Sequence, residues 1–147
     1  MRTAFFTAVA AVFLCALAGI GAAAAQIPEQ ELKAFADKIY DIHARQAKEE
    51  FTDLVHPDCP PPVAARLDHM FSKKWLKDEA HDIRLKEVGD MFDLEKLNFH
   101  VAPEAAIEFQ TWTQQQGRDN IELVTGFAVA RHQDGLRLLP YPCFEPK

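Results

Sequence analysis

The chain has 147 residues, 48% of them apolar and 26% charged, with a formal net charge of −6 at pH 7. Those values exclude a polytopic membrane protein, a multidomain chain and a disordered acidic tail. The acidic balance also lacks the basic footprint that nucleic-acid binding needs, so no nucleic-acid partner is expected.

Of the first 25 residues, 20 are apolar and none is acidic. Arg2 supplies a positive start, residues 4–20 an apolar run, and Ala23, Ala24 and Ala25 the small residues that a signal peptidase needs before Gln26. This pattern predicts a cleaved export signal over residues 1–25 and a single periplasmic or secreted domain over residues 26–147, with no membrane span after cleavage. The alternative is a retained anchor, because residues 4–25 are long enough to cross a bilayer. Leu14 before Cys15 does not fit a lipid-attachment site. Without this segment the net charge is −7, since Arg2 goes and no carboxylate goes with it.

A long helix is predicted over residues 28–55. Pro28 suits the first helical position, Glu29 and Glu31 complement the helix dipole, and Leu32, Phe35, Ile39, Ile42, Ala47, Phe51, Leu54 and Val55 recur at three- and four-residue steps. Neither proline nor glycine interrupts it before Pro57. Val63, Leu67, Met70, Phe71 and Trp75 repeat the helical pattern and predict a second helix over residues 62–77. Ile83 and Leu85 alternate with charged residues as in a short strand, although a helical continuation fits nearly as well.

The period changes to two from Leu97, with Phe99 and Val101 alternating against Asn98 and His100. A strand from Ile107 to Thr113, a turn at Gly117-Arg118-Asp119-Asn120, a strand over residues 121–132, a turn at Gln133-Asp134-Gly135 and a last strand over residues 136–139 complete the predicted meander. Residues 103–116 also frame a helix, with Pro103 at one end and Gly117 at the other; strand is preferred because it makes a hairpin with the segment from Ile121. Gly126 is expected to mark a bulge or a bend in a curved sheet.

Cys15 belongs to the predicted signal, which leaves Cys59 and Cys143 as an even pair in an exported chain. Both lie in proline-stiffened segments, His56-Pro57-Asp58-Cys59-Pro60-Pro61-Pro62 and Pro140-Tyr141-Pro142-Cys143-Phe144-Glu145-Pro146, that cannot use backbone ladders fully. A structural disulfide is expected; no Cys-x-x-Cys or common zinc spacing competes with it.

The fold class is therefore α+β, two N-terminal helices packed on a curved antiparallel sheet, with one disulfide. In its long first helix, second helix and closing hairpin around Asp134-Gly135, the chain resembles the nuclear transport factor two-like superfamily, the cone-shaped fold shared with ketosteroid isomerase and scytalone dehydratase. That resemblance implies a pocket between helix and curved sheet. Ketosteroid isomerase stabilises an oxyanion with a tyrosine hydroxyl and a protonated carboxylic acid. Tyr40 corresponds by its helix position, and no residue matches the general base or second donor.

Three side chains are candidates for acid–base chemistry: Tyr40, Asp93 and His100. Tyr40 shares a helix flank with His43, three residues on. Asp93 sits in Met91-Phe92-Asp93-Leu94, where desolvation could raise a carboxyl pKa, although a turn or cap role fits better. His100 falls on the strand face opposite Leu97, Phe99 and Val101, which faces solvent if those three are core. No catalytic set is complete. Ser72 is the single serine after residue 25, no Gly-x-Ser-x-Gly elbow occurs, and the six histidines show no metal-ligand spacing, so neither metal nor cofactor is expected. Phe92, Phe99, Phe109, Trp112 and Phe127 can line a pocket or fill a core, and Lys73, Lys74 and Lys77 form a small basic face. The leading expectation is an exported domain that binds a small apolar ligand or a protein partner without catalysis. A cofactor-free isomerase or dehydratase and an inhibitor or immunity-type protein with an acidic surface are the alternatives.

Overall fold

The computed structural model describes residues 26–114, 119–133 and 135–147. The expected export signal, Gly117 and Arg118 of the first turn, and Asp134 of the second lie outside the described residues. The fold is α+β, with a curled antiparallel half-barrel sheet and a disulfide between Cys59 and Cys143.

The expected single helix over residues 28–55 is two helices, α1 (Glu29–Arg45) and α2 (Lys48–Asp53). Gln46 ends α1 in the left-handed conformation, φ 61°, although it is not glycine. Local hydrogen bonds offset that cost: Ala47 N–H donates to Ile42 O at 3.0 Å, and Gln46 Nε2 donates to His43 O at 3.0 Å. Arg45 then spans the break, donating to Asp41 at 2.6 Å and to both Glu50 oxygens at 3.0 and 2.9 Å. The reversal lets Phe51 turn back into the core, where it is fully buried.

The second helix is also shorter than expected. α3 (Ala64–Phe71) stops where Ser72 Oγ donates to His69 O at 2.7 Å, and β1 (Lys74–Trp75) replaces its expected last turn. Strand β2 (Asp82–Lys86) confirms the alternation around Ile83 and excludes the helical continuation; a short α4 (Val88–Met91) follows. Strands β4 (Ala105–Gln114), β5 (Ile121–His132) and β6 (Gly135–Leu138) form the expected meander, so residues 105–114 are strand and not helix. β5 occupies one edge of β4, and β1 and β2 pair in succession along the other. The β5–β6 hairpin closes with His132 opposite Gly135, whose φ of 138° suits glycine alone.

One expected member of the meander belongs elsewhere. β3 (Leu97–Phe99) pairs with β7 (Phe144–Pro146) in a separate two-stranded sheet, with Phe99 opposite Phe144. Gly126 makes no bulge either: the β4–β5 register runs unbroken through Glu108 opposite Gly126. Its missing Cβ instead leaves room for the Met91 side chain.

Two apolar clusters result. The larger joins Leu32, Phe35 and Ile39 of α1 to Ile107 and Phe109 of β4, Phe127 and Val129 of β5, and Leu136 and Leu138 of β6. The smaller gathers Ala128 and Ala130 of β5 with Leu139 and Cys143, and Cys59, Phe92, Phe99 and Val101 pack against it. Successive β5 residues thus serve different clusters, as strand alternation requires. The aromatic residues singled out above divide accordingly: Phe109 and Phe127 belong to the first, Phe92 and Phe99 flank the second, and Trp112 is half-buried.

Candidate ligand groove

α1 carries Tyr40 and His43 one helical turn apart, and both are buried. His43 lies between two aromatic plates, Phe71 at 4.6 Å and 9° and Trp75 at 4.2 Å and 13° between ring centroids and planes. Phe51 meets its edge at 5.3 Å, and Phe127 lies at 6.1 Å. Neither ring nitrogen has a hydrogen-bond partner among the described residues. Burial alone pushes the imidazole pKa down to about 4, so the ring is neutral at pH 7 and packs as an apolar plate.

Trp75, held against His43, also lines a groove of about 430 Å³, within the range of roughly 300–1,000 Å³ that small-ligand sites occupy. α3 supplies Leu67 and Met70 to one wall, β5 supplies Leu123 and Thr125 to another, and Pro140 and Tyr141 close a third. The helical repeat explains the α3 wall, because residues 66, 69 and 70 return to one face at three- and four-residue steps, while Pro62 and Lys73 flank the two ends of the helix. That same face carries Arg66 and His69, and Lys73 follows just past the helix end. The Arg66 guanidinium lies 3.9 Å from the centre of the Tyr141 ring, a cation–π contact that fixes it at the groove. A larger cleft of about 760 Å³ separates the start of α1 from β2. Its walls mix Lys33, Arg84 and Lys86 with Glu29, Glu87, Asp90 and Glu104 around Leu32, Ile83 and Leu85, so charges of both signs interrupt its apolar surface.

The three candidates read from sequence occupy separate places. The Tyr40 hydroxyl donates to Leu76 O at 2.8 Å, and its ring stacks on His81 at 4.2 Å. Burial, reinforced by Asp78, raises its pKa, so the hydroxyl keeps its proton as a structural donor. Asp93 is exposed. Lys96 pairs with it at 2.7 Å and Glu95 N–H donates to it at 3.2 Å, which hold its pKa below the ordinary carboxylate value rather than above it. This is the turn role, and the desolvated one is not realised. His100 is exposed, and its backbone N–H donates to Cys143 O at 2.8 Å. No hydrogen bond, ion pair or ring contact among the described residues joins any two of the three. Tyr40→Phe is therefore expected to lower stability by about 1 kcal/mol, the contribution of one hydrogen bond, in a denaturant titration, with groove binding unchanged.

Sequence reasoning missed the groove itself. Its walls come from three distant stretches, and its apolar members look like core residues. The spacing of Tyr40 and His43 marked the adjoining flank of α1 without indicating that Trp75 would cover it. Among the described residues no group of three or more His, Cys, Asp or Glu side chains could hold a metal ion. No family model, no curated protein and no solved structure matches the chain.

Proposed function

We propose that this chain is an exported, non-catalytic binding domain that takes a small apolar ligand in the groove between α3, β5 and Tyr141. The observation that carries this reading is the apolar groove lined by Leu67, Met70, Leu123, Pro140 and Tyr141, with Trp75 buried alongside it against His43. The Tyr40 hydroxyl is engaged by a backbone carbonyl and Asp93 by a lysine, which favours binding over acid–base chemistry. Export is supported by the Cys59–Cys143 bond, since disulfides persist in oxidising compartments. No helix among the described residues is long and apolar enough to cross a membrane. Helices followed by a curled antiparallel sheet also suit the nuclear transport factor two-like architecture that we infer for the chain.

Titration of isotopically labelled protein with decan-1-ol, followed by amide chemical shifts, tests the reading. Saturable shifts are expected at Leu67, Met70, Trp75, Leu123, Thr125 and Tyr141. Ala65→Trp places a bulky ring into the groove from an exposed position and is expected to abolish them while the melting temperature stays unchanged. Shifts elsewhere, or none that saturate, would overturn it.

A further inference from the structure

We infer that the groove selects an amphipathic monoanion, an apolar chain ending in a carboxylate, with the chain along Leu67, Met70 and Leu123 and the carboxylate between Arg66 and Lys73. The inference rests on the groove being a ligand site and adds the charge of its occupant. The chain holds 22 acidic residues against 16 basic ones, yet no aspartate or glutamate lines this groove, whereas Arg66, His69 and Lys73 do. Two other cations of this region are neutralised: Lys48 pairs with Asp68, and Lys77 pairs with Asp41. Arg66 and Lys73 have no carboxylate partner among the described residues. Lys73 is half-buried at the groove, where a carboxylate would give it the charge-assisted partner it lacks among the described residues. Arg66 lies 3.9 Å from the centre of the Tyr141 ring, a contact that leaves its N–H donors without a carboxylate among the described residues. An apolar floor with a cationic margin recognises both ends of such a molecule. A neutral apolar ligand would leave these cations unused, and an amphipathic cation would be repelled.

The test compares decanoate, decan-1-ol and decyltrimethylammonium at about pH 7.5, where the carboxylate is ionised, using the same amide shifts. Each half-exposed ion pair contributes up to about fivefold, so decanoate is expected to bind about tenfold tighter than decan-1-ol, and the cation more weakly than either. The Arg66→Gln/Lys73→Gln double variant is expected to abolish the difference between decanoate and decan-1-ol measured on the same protein. Added sodium chloride is expected to weaken decanoate alone in the unmodified protein, which keeps the test independent of the variant's folding. Equal affinities for acid and alcohol, or tighter binding of the cation, would overturn the anion inference and leave the small-ligand reading intact. Failure of all three would overturn both. Sedimentation with phosphatidylglycerol vesicles in the absence of decanoate binding would assign the basic margin to a membrane surface and overturn the inference.

Discussion

Reduction of the Cys59–Cys143 bond is expected to lower the unfolding free energy by about 4.5 kcal/mol and the melting temperature by about 15 °C. The two cysteines are 84 positions apart, so the bond closes a loop that includes α3, α4 and most of the sheet. Cutting it returns the entropy of that loop to the unfolded chain. The arms are otherwise held by short pairings and a few hydrogen bonds, among them His100 N–H to Cys143 O at 2.8 Å. Among the described residues, β7 and β3 are three-residue strands, and the segment after α2 is tied to β6 by His56 N–H to Leu138 O at 2.9 Å and Leu138 N–H to Leu54 O at 2.8 Å. Cys143 is fully buried in the smaller apolar cluster, where a freed thiol would lose its anchor against Leu139 and Ala128. Pro62 and Tyr141 lie three and two residues from the bonded cysteines and both line the groove, so ligand binding is expected to weaken together with stability. Calorimetry of the oxidised protein against protein with two titratable thiols, with the Cys59→Ala/Cys143→Ala double variant as a second reduced form, measures the effect. An unchanged melting temperature in both forms would show that the staple contributes nothing.

Where local physics decides, the sequence was informative. The apolar repeat from Leu32 to Ile42 specifies the buried stripe of α1, and the alternation from Ile107 to Thr113 specifies which face of β4 is buried. The pairing of two cysteines on proline-rich arms was equally legible. Other features depend on tertiary competition. Gln46 breaks the long helix without a glycine or proline, because hydrogen bonds to Ile42 and His43 compensate a left-handed residue and allow Phe51 to reach the core. Trp75 continues the helical spacing from Phe71, yet its indole gains more by lying between His43 and Phe109 from a strand on the edge of β4. Period two says which side of a strand is buried and is silent about its partner, so Leu97–Phe99 could be read as a strand but not as the mate of Phe144. The groove was illegible for a related reason. Residue chemistry directed attention to Tyr40, Asp93 and His100, whereas Leu67, Leu123 and Tyr141 meet only after α3, β5 and the disulfide-anchored arm are in place.

His43 makes the protein acid-sensitive between its ordinary pKa of 6.5 and its folded value of about 4. With a folded pKa of about 4 against an ordinary value of 6.5, the imidazole takes up its proton in the unfolded chain first. Unfolded protein then binds more protons between those values, so stability is full above pH 6.5 and falls as pH drops through the window. The expected loss from pH 7 to pH 4 is about 3 kcal/mol, comparable to the cost of a large core truncation. Protonation is resisted because every ring around the imidazole is apolar: Phe51, Phe71, Trp75 and Phe127 supply no acceptor for a second N–H. Asp41, Glu50 and Asp93, held low by hydrogen bonds from lysine or arginine, lose their contribution only below the ordinary carboxylate range. Urea titrations at successive pH values on the native protein and on His43→Phe separate the two. The phenyl ring keeps both stacking contacts and removes the titratable group, so its stability curve is expected to stay flat from pH 7 to pH 4.5 where the native curve slopes. Parallel slopes would mean that another group governs the acid limb and that His43 is not held neutral by its aromatic box. A flat variant curve would identify the packing of His43 against Trp75, beside the groove, as the source of the protein's acid sensitivity.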